Sequence, residues 1–459
     1  MSFPVTPSSA YVARRRALAS RFPGPVLLLA GAPPPRNYPA NTYPFRPSSH
    51  YLYFGGPREA SAALVLEAGR STLYLEPRTA EDALWHGPRP SFDEVGRAWE
   101  VSRVRPLDAL PADLQALAHV VAAAGPPDGA SRARLSDLPG RAGSKEVSQA
   151  DAQLAGAIIA LRLLHDEAAI GQLSAAADAS AKAHIAGMAA GRTAKTENDV
   201  CAAITDSLRV RGMDDAYAPI VSVRGEVLHN ISHEGKLAPG DLMLCDAGGE
   251  SPEGWASDIT RTWPVNGRFS TTQRAIYDVV LAAQLAAIDR VRPGMSYREV
   301  HETAKRTIVS ELVKLRIFRG TVDGLLERGA AALFFPHGVG HLIGLDVHDM
   351  EDMGDRAGYA PGRSRSARFG DKYLRLDRDL APGMAVTIEP GFYQVPEIMN
   401  DPELTGPLGA DLDRNVLSSY ADVRGIRIED DVLCTASEPV VLSARCPKNA
   451  QDVEAAVRG

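Results

Sequence analysis

Three histidines, His337, His341 and His348, fall within residues 334–348, which read FFPHGVGHLIGLDVH. His337 and His341 stand four residues apart, the spacing at which a helix would aim both side chains at one metal ion. Two glycines lie between them, and glycine is costly inside a helix, so a loop is predicted instead. In such a loop the backbone can approach a ligand closely, which makes His341 a candidate metal ligand and the other two histidines candidate pocket walls. The alternative is a glycine-rich turn in which the histidines have no common role.

Two aspartates occupy positions where a pair of strands would bring them together. Asp246 ends the apolar run LMLCD at 242–246, and Asp258 lies in WASDITRTW at 255–263. Side chains alternate between the two faces of a strand, so Asp258 shares a face with Thr260. A hairpin formed by the two segments would let Asp246 and Asp258 meet. An aspartate in an apolar strand is expensive unless it is paired, hydrogen-bonded or bound to a metal.

Two glutamates complete a set of four such carboxylates. Glu389 ends the apolar run AVTIE, and in GIRIEDD at 425–431 the alternation puts Arg427 and Glu429 on one face. Any one of the four could be an ordinary salt-bridged carboxylate. Together with a glycine-flanked histidine, however, they predict a metal site.

Four carboxylates and one imidazole form a hard, oxygen-rich set of ligands. Such a set suits Mn²⁺ better than structural zinc, which favours thiolates. Because crowded carboxylates repel one another unless cations neutralise them, two divalent ions are predicted. A pair of ions roughly 3.5–4 Å apart can hold a bridging hydroxide and polarise a carbonyl, so the predicted reaction class is hydrolysis.

The composition indicates a large globular protein. Its 459 residues are 45% hydrophobic and 23% charged, which is ample for a buried core. The net charge of −7 without a long basic run argues against nucleic acid as a partner. No apolar run is long enough for a membrane span, and the four cysteines show no CxxC spacing. A cytoplasmic location without a membrane or nucleic-acid partner is therefore predicted.

The chain divides into two predicted domains, residues 1–155 and 156–459. Short apolar runs at 26–29, 63–66, 71–75 and 120–124 predict the strands of a smaller α/β domain. An alanine-rich helical stretch at 152–188 spans the boundary. Further helix starts are predicted where a cap residue precedes an acidic or amide residue by three positions, at Thr196 with Asp199, Ser270 with Gln273 and Ser296 with Glu299.

The order of the five candidate ligands resembles that of the pita-bread metallopeptidases, the family of methionine aminopeptidase, aminopeptidase P, prolidase and creatinase. The resemblance covers nearly the whole chain. It implies a smaller N-terminal α/β domain followed by a catalytic α+β domain with a curved antiparallel sheet backed by helices. The motifs that carry it are VLH at 227–229, SDITRT at 257–262, HGVGH at 337–341, LDVHD at 345–349, EPG at 389–391 and GIRIED at 425–430.

The resemblance also implies roles for individual residues. Asp246 and Asp258 would bind one ion and His341 and Glu389 the other, with Asp258 and Glu429 bridging the two. Mn²⁺ is expected, with Zn²⁺ or Co²⁺ as alternatives, and Glu389 would also move the proton of the attacking hydroxide. The substrate and the tetrahedral intermediate would be held by His229 and His348, and supporting positions would fall to His337, Tyr217, Thr260 and Arg427. The aspartates are 258 − 246 = 12 positions apart, one more than is usual in the family, and the extra residue is expected in the hairpin turn at 251–254.

Two features favour a prolidase, which cleaves Xaa-Pro dipeptides. The glutamates are 429 − 389 = 40 positions apart, and the insertion at 370–380 resembles that of prolidases. In it, Arg375 falls where prolidases bind the dipeptide carboxylate. Two other features instead resemble aminopeptidase P, namely the aromatic segment containing Arg46 and the residue Trp85. The Arg46 segment could cap the active site of its own chain or of a dimer partner.

A prolidase is therefore the main prediction, acting on small peptides, as a homodimer. Aminopeptidase P, which acts on longer Xaa-Pro peptides, is the alternative. A metal-free relative, either a creatinase-type hydrolase or a binding scaffold, is disfavoured because all five ligand positions hold residues that can bind metal.

Overall fold

The computed structural model describes residues 3–117, 121–124, 129–139 and 148–459. It contains two compact units, Met1–Ala169 and Ile170–Gly459. The predicted boundary at residue 155 falls inside the helix Gln149–Arg162, which the first unit holds complete. The domain limits 1–155 and 156–459 stay a prediction.

The first unit is built on a mixed five-stranded sheet, whose strands in spatial order are β6 Arg103–Pro106, β5 Arg70–Leu75, β4 Ala63–Glu67, β1 Val26–Leu29 and β7 Ala122–Ala124. The predicted strands at 26–29, 63–66 and 71–75 are present. Of the strand predicted at 120–124 the structure has Ala122–Ala124, and residue 120 lies outside the described residues. The strands are β1 Val26–Leu29, β2 Pro35–Tyr38, β3 Asn41–Thr42, β4 Ala63–Glu67, β5 Arg70–Leu75, β6 Arg103–Pro106 and β7 Ala122–Ala124.

Apolar side chains from this sheet form the core of the first unit. Leu27, Leu29, Val65 and Tyr74 are buried together with leucines of the neighbouring helices. Burial of such side chains supplies the main stabilisation, about 1.5–3 kcal/mol each. The helices are α1 Ser8–Arg21, α2 Ser49–Tyr53, α3 Ala80–His86, α4 Phe92–Ala98, α5 Leu110–Ala116, α6 Gly129–Asp137 and α7 Gln149–Arg162.

The second unit begins within a long alanine-rich helix. The predicted stretch 152–188 is in fact two helices, because α7 ends at Arg162 and the next helix starts at Glu167. The three predicted capping pairs are confirmed, and each is a reciprocal capping box. The helices are α8 Glu167–Ala190, α9 Glu197–Val210, α10 Thr271–Asp289, α11 Tyr297–Lys314, α12 Val322–Glu327, α13 Ala330–Phe334, α14 Asp355–Gly358, α15 Pro396–Asn400, α16 Pro402–Thr405, α17 Arg414–Ser418 and α18 Ala450–Arg458.

All strand pairs among the described residues of the second unit are antiparallel. They form two groups of three strands and two groups of two strands, namely Thr260–Pro264 with Leu242–Asp246 and Ile220–Ser222, Ala385–Ile388 with Asp430–Leu433 and Val440–Val441, Gly249–Glu250 with Asp214–Asp215, and Gly391–Tyr393 with Gly425–Arg427. No helix in the described part of the chain is both long enough and apolar enough to cross a membrane. The strands are β8 Asp214–Asp215, β9 Ile220–Ser222, β10 Leu242–Asp246, β11 Gly249–Glu250, β12 Thr260–Pro264, β13 Ala385–Ile388, β14 Gly391–Tyr393, β15 Gly425–Arg427, β16 Asp430–Leu433 and β17 Val440–Val441.

Candidate active site

The predicted hairpin is present and brings the two aspartates together. β10 pairs antiparallel with β12, and Asp246 lies opposite Thr260. Beyond that pair, the Ala247 N–H donates to the Ile259 carbonyl at 3.0 Å. The Tyr217 hydroxyl lies 2.5 Å from Asp246 Oδ1 and also contacts Asp258 Oδ1. A hydroxyl has one proton and can donate to only one of the two carboxylates at a time. If both carboxylates are ionised, a further positive charge is needed to balance them.

The segment from His337 to His341 is a loop, as predicted, and it runs beside β13. The Thr387 N–H donates to the His341 carbonyl at 2.9 Å, and the Glu389 N–H donates to the Val339 carbonyl at 2.8 Å. Gly340 is required by this close approach, because a Cβ there would overlap the Thr387 carbonyl. The loop and the strand therefore hold His341 and Glu389 in fixed register.

The imidazole of His341 is oriented towards the carboxylates. Its Nδ1–H donates to the Leu342 carbonyl at 2.9 Å. This leaves Nε2 at 3.5 Å from Asp258 Oδ2 and 3.8 Å from Glu389 Oε1. Burial disfavours the imidazolium, but the two carboxylates outweigh burial and raise the pKa of His341 to about 9. A backbone carbonyl that fixes Nδ1 in this way is a common second partner of a metal-binding histidine.

Glu429 is held in place by Thr260. The Thr260 hydroxyl donates to Glu429 Oε2 at 2.6 Å, and the Glu429 N–H donates to the Thr260 carbonyl at 3.0 Å. Arg427 also reaches this threonine, with Nε at 3.0 Å from Thr260 Oγ1, and its Nη2 donates to Asp246 Oδ2 at 2.6 Å. The predicted grouping of Arg427 and Glu429 on one side of the chain agrees with these contacts.

The electrostatics of the cluster fit divalent cations. Burial raises the pKa of Glu429 well above its usual range, raises that of Glu389 to about 7, and raises that of Asp246. Ligand atoms of Asp258, His341 and Glu429 all lie within 4.8 Å of one another. Carboxylates crowded in this way either take up protons or bind cations. The arrangement can therefore hold divalent metal ions.

The cluster lies at one side of a cavity of about 580 Å³, a volume suited to a short peptide. The walls include all five candidate metal ligands, and the lining residues that the structure describes all belong to the second unit. They are Glu226, Leu228, His229, Asp246, Asp258, Pro336, His337, Gly338, Gly340, His341, His348, Arg365, Phe369, Tyr373, Arg375, Glu389, Val395, Ile398, Arg427 and Glu429.

Two histidines of the cavity wall have distinct settings. His337 has both nitrogens engaged, because Nδ1–H donates to the Gly338 carbonyl at 2.8 Å and Nε2 accepts from the Tyr393 hydroxyl at 2.9 Å. His348 packs edge-on against His341, with ring centroids 4.4 Å apart, and burial lowers its pKa to about 3. His229 also lines the cavity but is exposed. His337 is thus suited to shaping the wall, while His229 and His348 are suited to contacting substrate.

The arginine predicted to bind a dipeptide carboxylate does line the cavity. Arg375 Nη1 lies 2.9 and 2.7 Å from the two carboxylate oxygens of Glu351. Its Nε and Nη2 make no hydrogen bond to any residue that the structure describes. Arg375 therefore has a counter-ion and still has donors available for a ligand.

The other two substrate candidates, Arg46 and Trp85, belong to the first unit. Arg46 Nη1 donates to Ser49 Oγ at 2.9 Å. Trp85 is 73% exposed, on a helix with no buried residue. Their predicted contact with substrate stays a prediction.

Several residues of the cavity are not predicted by the sequence patterns described above. Tyr393 joins the site, since its hydroxyl donates to His337 and accepts from Arg427 Nη1 at 3.1 Å. The signal was available, because residues 389, 391 and 393 alternate onto one face of a strand. Arg365, Phe369 and Tyr373 come from an irregular segment for which the sequence has no periodic signal.

Two glycines set the distance between the segments that carry His229 and Arg427. Gly225 lies three residues before Leu228 and Gly425 begins β15. A Cβ built on Gly225 would lie 2.7 Å from the Gly425 carbonyl oxygen, and one built on Gly425 would overlap Gly225 in turn. The two main chains are in direct contact here, and only glycine permits it.

A second cluster of potential ligands, His301, Glu302 and Asp371, carries its own cation. Lys305 Nζ lies 2.8 Å from Glu302 Oε1 and 2.7 Å from Asp371 Oδ1. This ammonium already pairs with both carboxylates, so we assign no metal there.

The fold and the cluster together define a metallopeptidase of the pita-bread type. Residues 171–436 match the family model described as "Metallopeptidase family M24", and residues 11–123 match "Aminopeptidase P, N-terminal domain". The chain belongs to metallopeptidase family M24. The predicted family, the two-domain α/β fold and the enzyme class are confirmed.

Relatives and solved structures agree with this family. Xaa-Pro aminopeptidase 1 of Streptomyces coelicolor is 30% identical, over 99% of this chain and 89% of its own length. A probable Xaa-Pro aminopeptidase of Aspergillus niger is 34% identical over 89% of this chain and 88% of its own length. The aminopeptidase PepP of Pseudomonas aeruginosa is 30% identical, with a TM-score of 0.80 and 98% of each chain covered. Aminopeptidase P of E. coli, solved with the inhibitor Pro-Leu, is 31% identical with a TM-score of 0.80 over 98% of each chain. These names support the predicted alternative, aminopeptidase P, better than the main prediction of a prolidase.

Proposed function

We propose that this metallopeptidase is an Xaa-Pro aminopeptidase, which releases the N-terminal residue from peptides whose second residue is proline. The observation that carries the proposal is the convergence of five candidate ligands on one cavity of peptide size. The names of the relatives support the specificity for a proline bond. Mn²⁺ as the preferred ion, a homodimer and a cytoplasmic location remain predictions.

Two divalent ions would be held by the residues of the cluster. Asp246 and Asp258 would hold one, His341 and Glu389 the other, and Asp258 and Glu429 would bridge them. When bound, the ions supply Lewis-acid polarisation of the scissile carbonyl and a water that is readily deprotonated. The geometry supports this assignment, since His341 Nε2 faces both Asp258 and Glu389.

The side chains around the cluster would move protons and hold the substrate. Glu389 would accept a proton from the attacking water and pass it to the leaving proline nitrogen. His229 and His348, which line the cavity, would donate hydrogen bonds to the substrate carbonyl, where negative charge develops. Thr260 and Arg427 would keep Glu429 and Asp246 in place through the hydrogen bonds they donate.

Selectivity for proline would come from the shape of the cavity. An Xaa-Pro amide nitrogen carries no hydrogen, so no acceptor in the site can select for it. His337 is suited to wall the proline ring, since both its nitrogens are already engaged and its ring stands edge-on to Phe335, with centroids 4.8 Å apart.

A prolidase is the second candidate, and Arg375 is the observation in its favour. A dipeptide puts a free carboxylate directly after proline, and a planar guanidinium pairs well with such a group. Arg375 lines the cavity with Nε and Nη2 free of hydrogen bonds to the described residues. Its pairing with Glu351 reduces the net charge available to a carboxylate.

The two candidates are separated by substrate length. The Mn²⁺-loaded protein is offered Ala-Pro-Ala, Ala-Pro and Ala-Ala-Ala at equal concentration, with a chelated sample as control. We expect the highest kcat/KM for Ala-Pro-Ala, and no activity after chelation. A higher kcat/KM for Ala-Pro would establish the prolidase instead. Equal cleavage of Ala-Ala-Ala would contradict the requirement for proline.

A further inference from the structure

Arg261 is a fully buried cation next to the candidate metal centre. It lies in β12 between Thr260 and Thr262, and its side chain is 0% exposed. A buried charge is tolerated only where it is paired and its hydrogen-bonding groups are satisfied. The contacts of this guanidinium therefore define its role.

All five N–H groups of the guanidinium have an acceptor. They tie three separate stretches of main chain together, namely β12, the residues around Glu429 and the C-terminal segment at 446–447. The acceptors are the carbonyls of Pro447 (2.9 Å from Nε), Thr260 (2.9 Å from Nη1), Glu429 (2.6 Å from Nη1) and Cys446 (3.0 Å from Nη2), and Asp430 Oδ1 (2.7 Å from Nη2).

The counter-ion Asp430 is satisfied just as completely. Its Oδ1 also accepts from the Ser443 hydroxyl at 2.6 Å, and its Oδ2 accepts from Gln284 Nε2 and Lys448 Nζ, each at 2.7 Å. The carboxylate of Asp430 is fully buried, and Arg261 and Lys448 supply the positive charges that pair with it. The N–H groups of Arg261 and the carboxylate oxygens of Asp430 thus all have hydrogen-bond partners, and the two charges are paired.

The network acts on Glu429 through its main chain. The carbonyl of Glu429 accepts from Arg261, and its N–H donates to the Thr260 carbonyl. The Thr260 hydroxyl donates to the carboxylate of the same glutamate. Both peptide groups that flank the Glu429 side chain are therefore fixed, which sets the direction of its carboxylate.

We propose that Arg261 is a positioning residue that holds the Glu429 carboxylate beside Asp258 and His341, where it can bridge two metal ions. The inference rests on the proposed role of Glu429 as a ligand. Lysine cannot replace this arginine, because an ammonium is a single point of charge with three donors and cannot reach five acceptors in a plane. Metal binding, in addition to stability, depends on the guanidinium.

The test compares Arg261→Lys with Lys448→Met. Lys448 is a matched control, since it contacts the other oxygen of Asp430 and makes no hydrogen bond to Glu429. Mn²⁺ is titrated into each chelated protein by calorimetry, and the magnetic coupling between bound Mn²⁺ ions is followed by electron paramagnetic resonance. The folded state of each variant is checked by circular dichroism.

We expect Arg261→Lys to weaken Mn²⁺ binding about 10-fold or more, as removal of an outer partner of a ligand typically does, and to alter the coupling signal. Lys448→Met should unfold at a lower temperature but bind both ions as the wild type does. In Arg261→Lys, kcat should fall with little change in KM. Wild-type affinity and coupling in Arg261→Lys would overturn the proposal.

Two further variants make the result decisive. If Arg261→Lys does not fold, Arg261→Gln is measured in its place. If neither variant folds while Lys448→Met does, Arg261 has only a general role in folding, and the proposal is overturned. Glu429→Gln tests the underlying ligand assignment separately. Unchanged Mn²⁺ binding in Glu429→Gln would overturn the proposed metal set, whereas loss there with no loss in Arg261→Lys would overturn only the role of the arginine.

Discussion

At the scale of the residue, the histidines of the cavity divide by what their nitrogens contact. His341 has Nδ1 committed to a carbonyl and Nε2 facing carboxylates, which is the setting of a ligand. His337 has both nitrogens engaged. His348 Nδ1 lies 3.8 Å from a carboxylate oxygen of Glu351. Spacing along the chain does not distinguish these cases, whereas hydrogen-bond partners do.

We expect His348→Ala to lower kcat by about 10²-fold, the typical cost of losing a hydrogen-bond donor to a developing oxyanion. The proposed metal ligands do not include His348, so metal content measured by elemental analysis should stay at the wild-type level. His337→Phe, which preserves an aromatic wall, serves as the comparison and should change KM more than kcat. Loss of bound metal in His348→Ala would reassign this histidine as a ligand.

At the scale of the element, the irregular segment that carries Phe369, Tyr373 and Arg375 depends on α11. Lys305 of α11 donates to Asp371 Oδ1 at 2.7 Å, and His301 Nε2 lies 3.5 Å from the same oxygen. Arg298, also of α11, donates to Asp377 Oδ2 at 2.6 Å. A helix thus supports a loop that contributes part of the cavity wall.

The pairing of Asp371 predicts a pH dependence of stability. Burial alone would raise the pKa of this carboxyl, but His301 and Lys305 outweigh burial and lower it below its ordinary value. A carboxyl with a lowered pKa stabilises the fold above its unfolded pKa, about 3.9, and that contribution is lost as pH falls through the folded value. Asp371→Asn should therefore unfold more readily than the wild type at pH 6.

The measurement is urea denaturation of both proteins at several pH values. The difference in free energy of unfolding should be constant between pH 6 and 7 and shrink as the pH is lowered below about 4. Asp355→Asn serves as the comparison. Asp355 pairs with Arg365 of the same irregular segment, but the Asp355 side chain is 54% exposed, so this ion pair should contribute little to stability. A difference that does not change with pH would show that the ion pair is not the cause.

At the scale of the whole molecule, bound ions should stabilise the protein. A ligand that binds only the folded state adds RT ln(1 + [L]/Kd), which is about 2.7 kcal/mol at a concentration of 100 Kd. Chelation should therefore lower the Tm measured by calorimetry, and Mn²⁺ should restore it. In Asp258→Asn the shift should be small or absent. An identical Tm with and without ions would contradict metal binding in this cluster.

Much of the fold was predicted from the sequence, because the helix starts, strands and loops concerned depend on residues that are close together in the chain. Capping pairs, the strand from Val26 and the loop at His337–His341 follow from side-chain and glycine chemistry that acts over a few residues. The hydrogen bonds of the Arg261 guanidinium were not predicted, because the carbonyls that accept them at 446–447 are far from Arg261 in the sequence. The prediction of a prolidase, which used the long gap between Glu389 and Glu429, is not confirmed, and the relatives' names favour its alternative, an aminopeptidase.

The contact between Gly225 and Gly425 has a consequence for how the cavity tolerates change. With no side chain on either glycine, the main chain at Gly225 lies directly against the main chain at Gly425, and these two segments lead to His229 and Arg427. An alanine at either position would have to push the segments apart by about the width of a methyl group. The spacing of these two segments is therefore already the minimum that two main chains allow, and substitutions of the side chains that line the cavity can change its shape without altering that spacing.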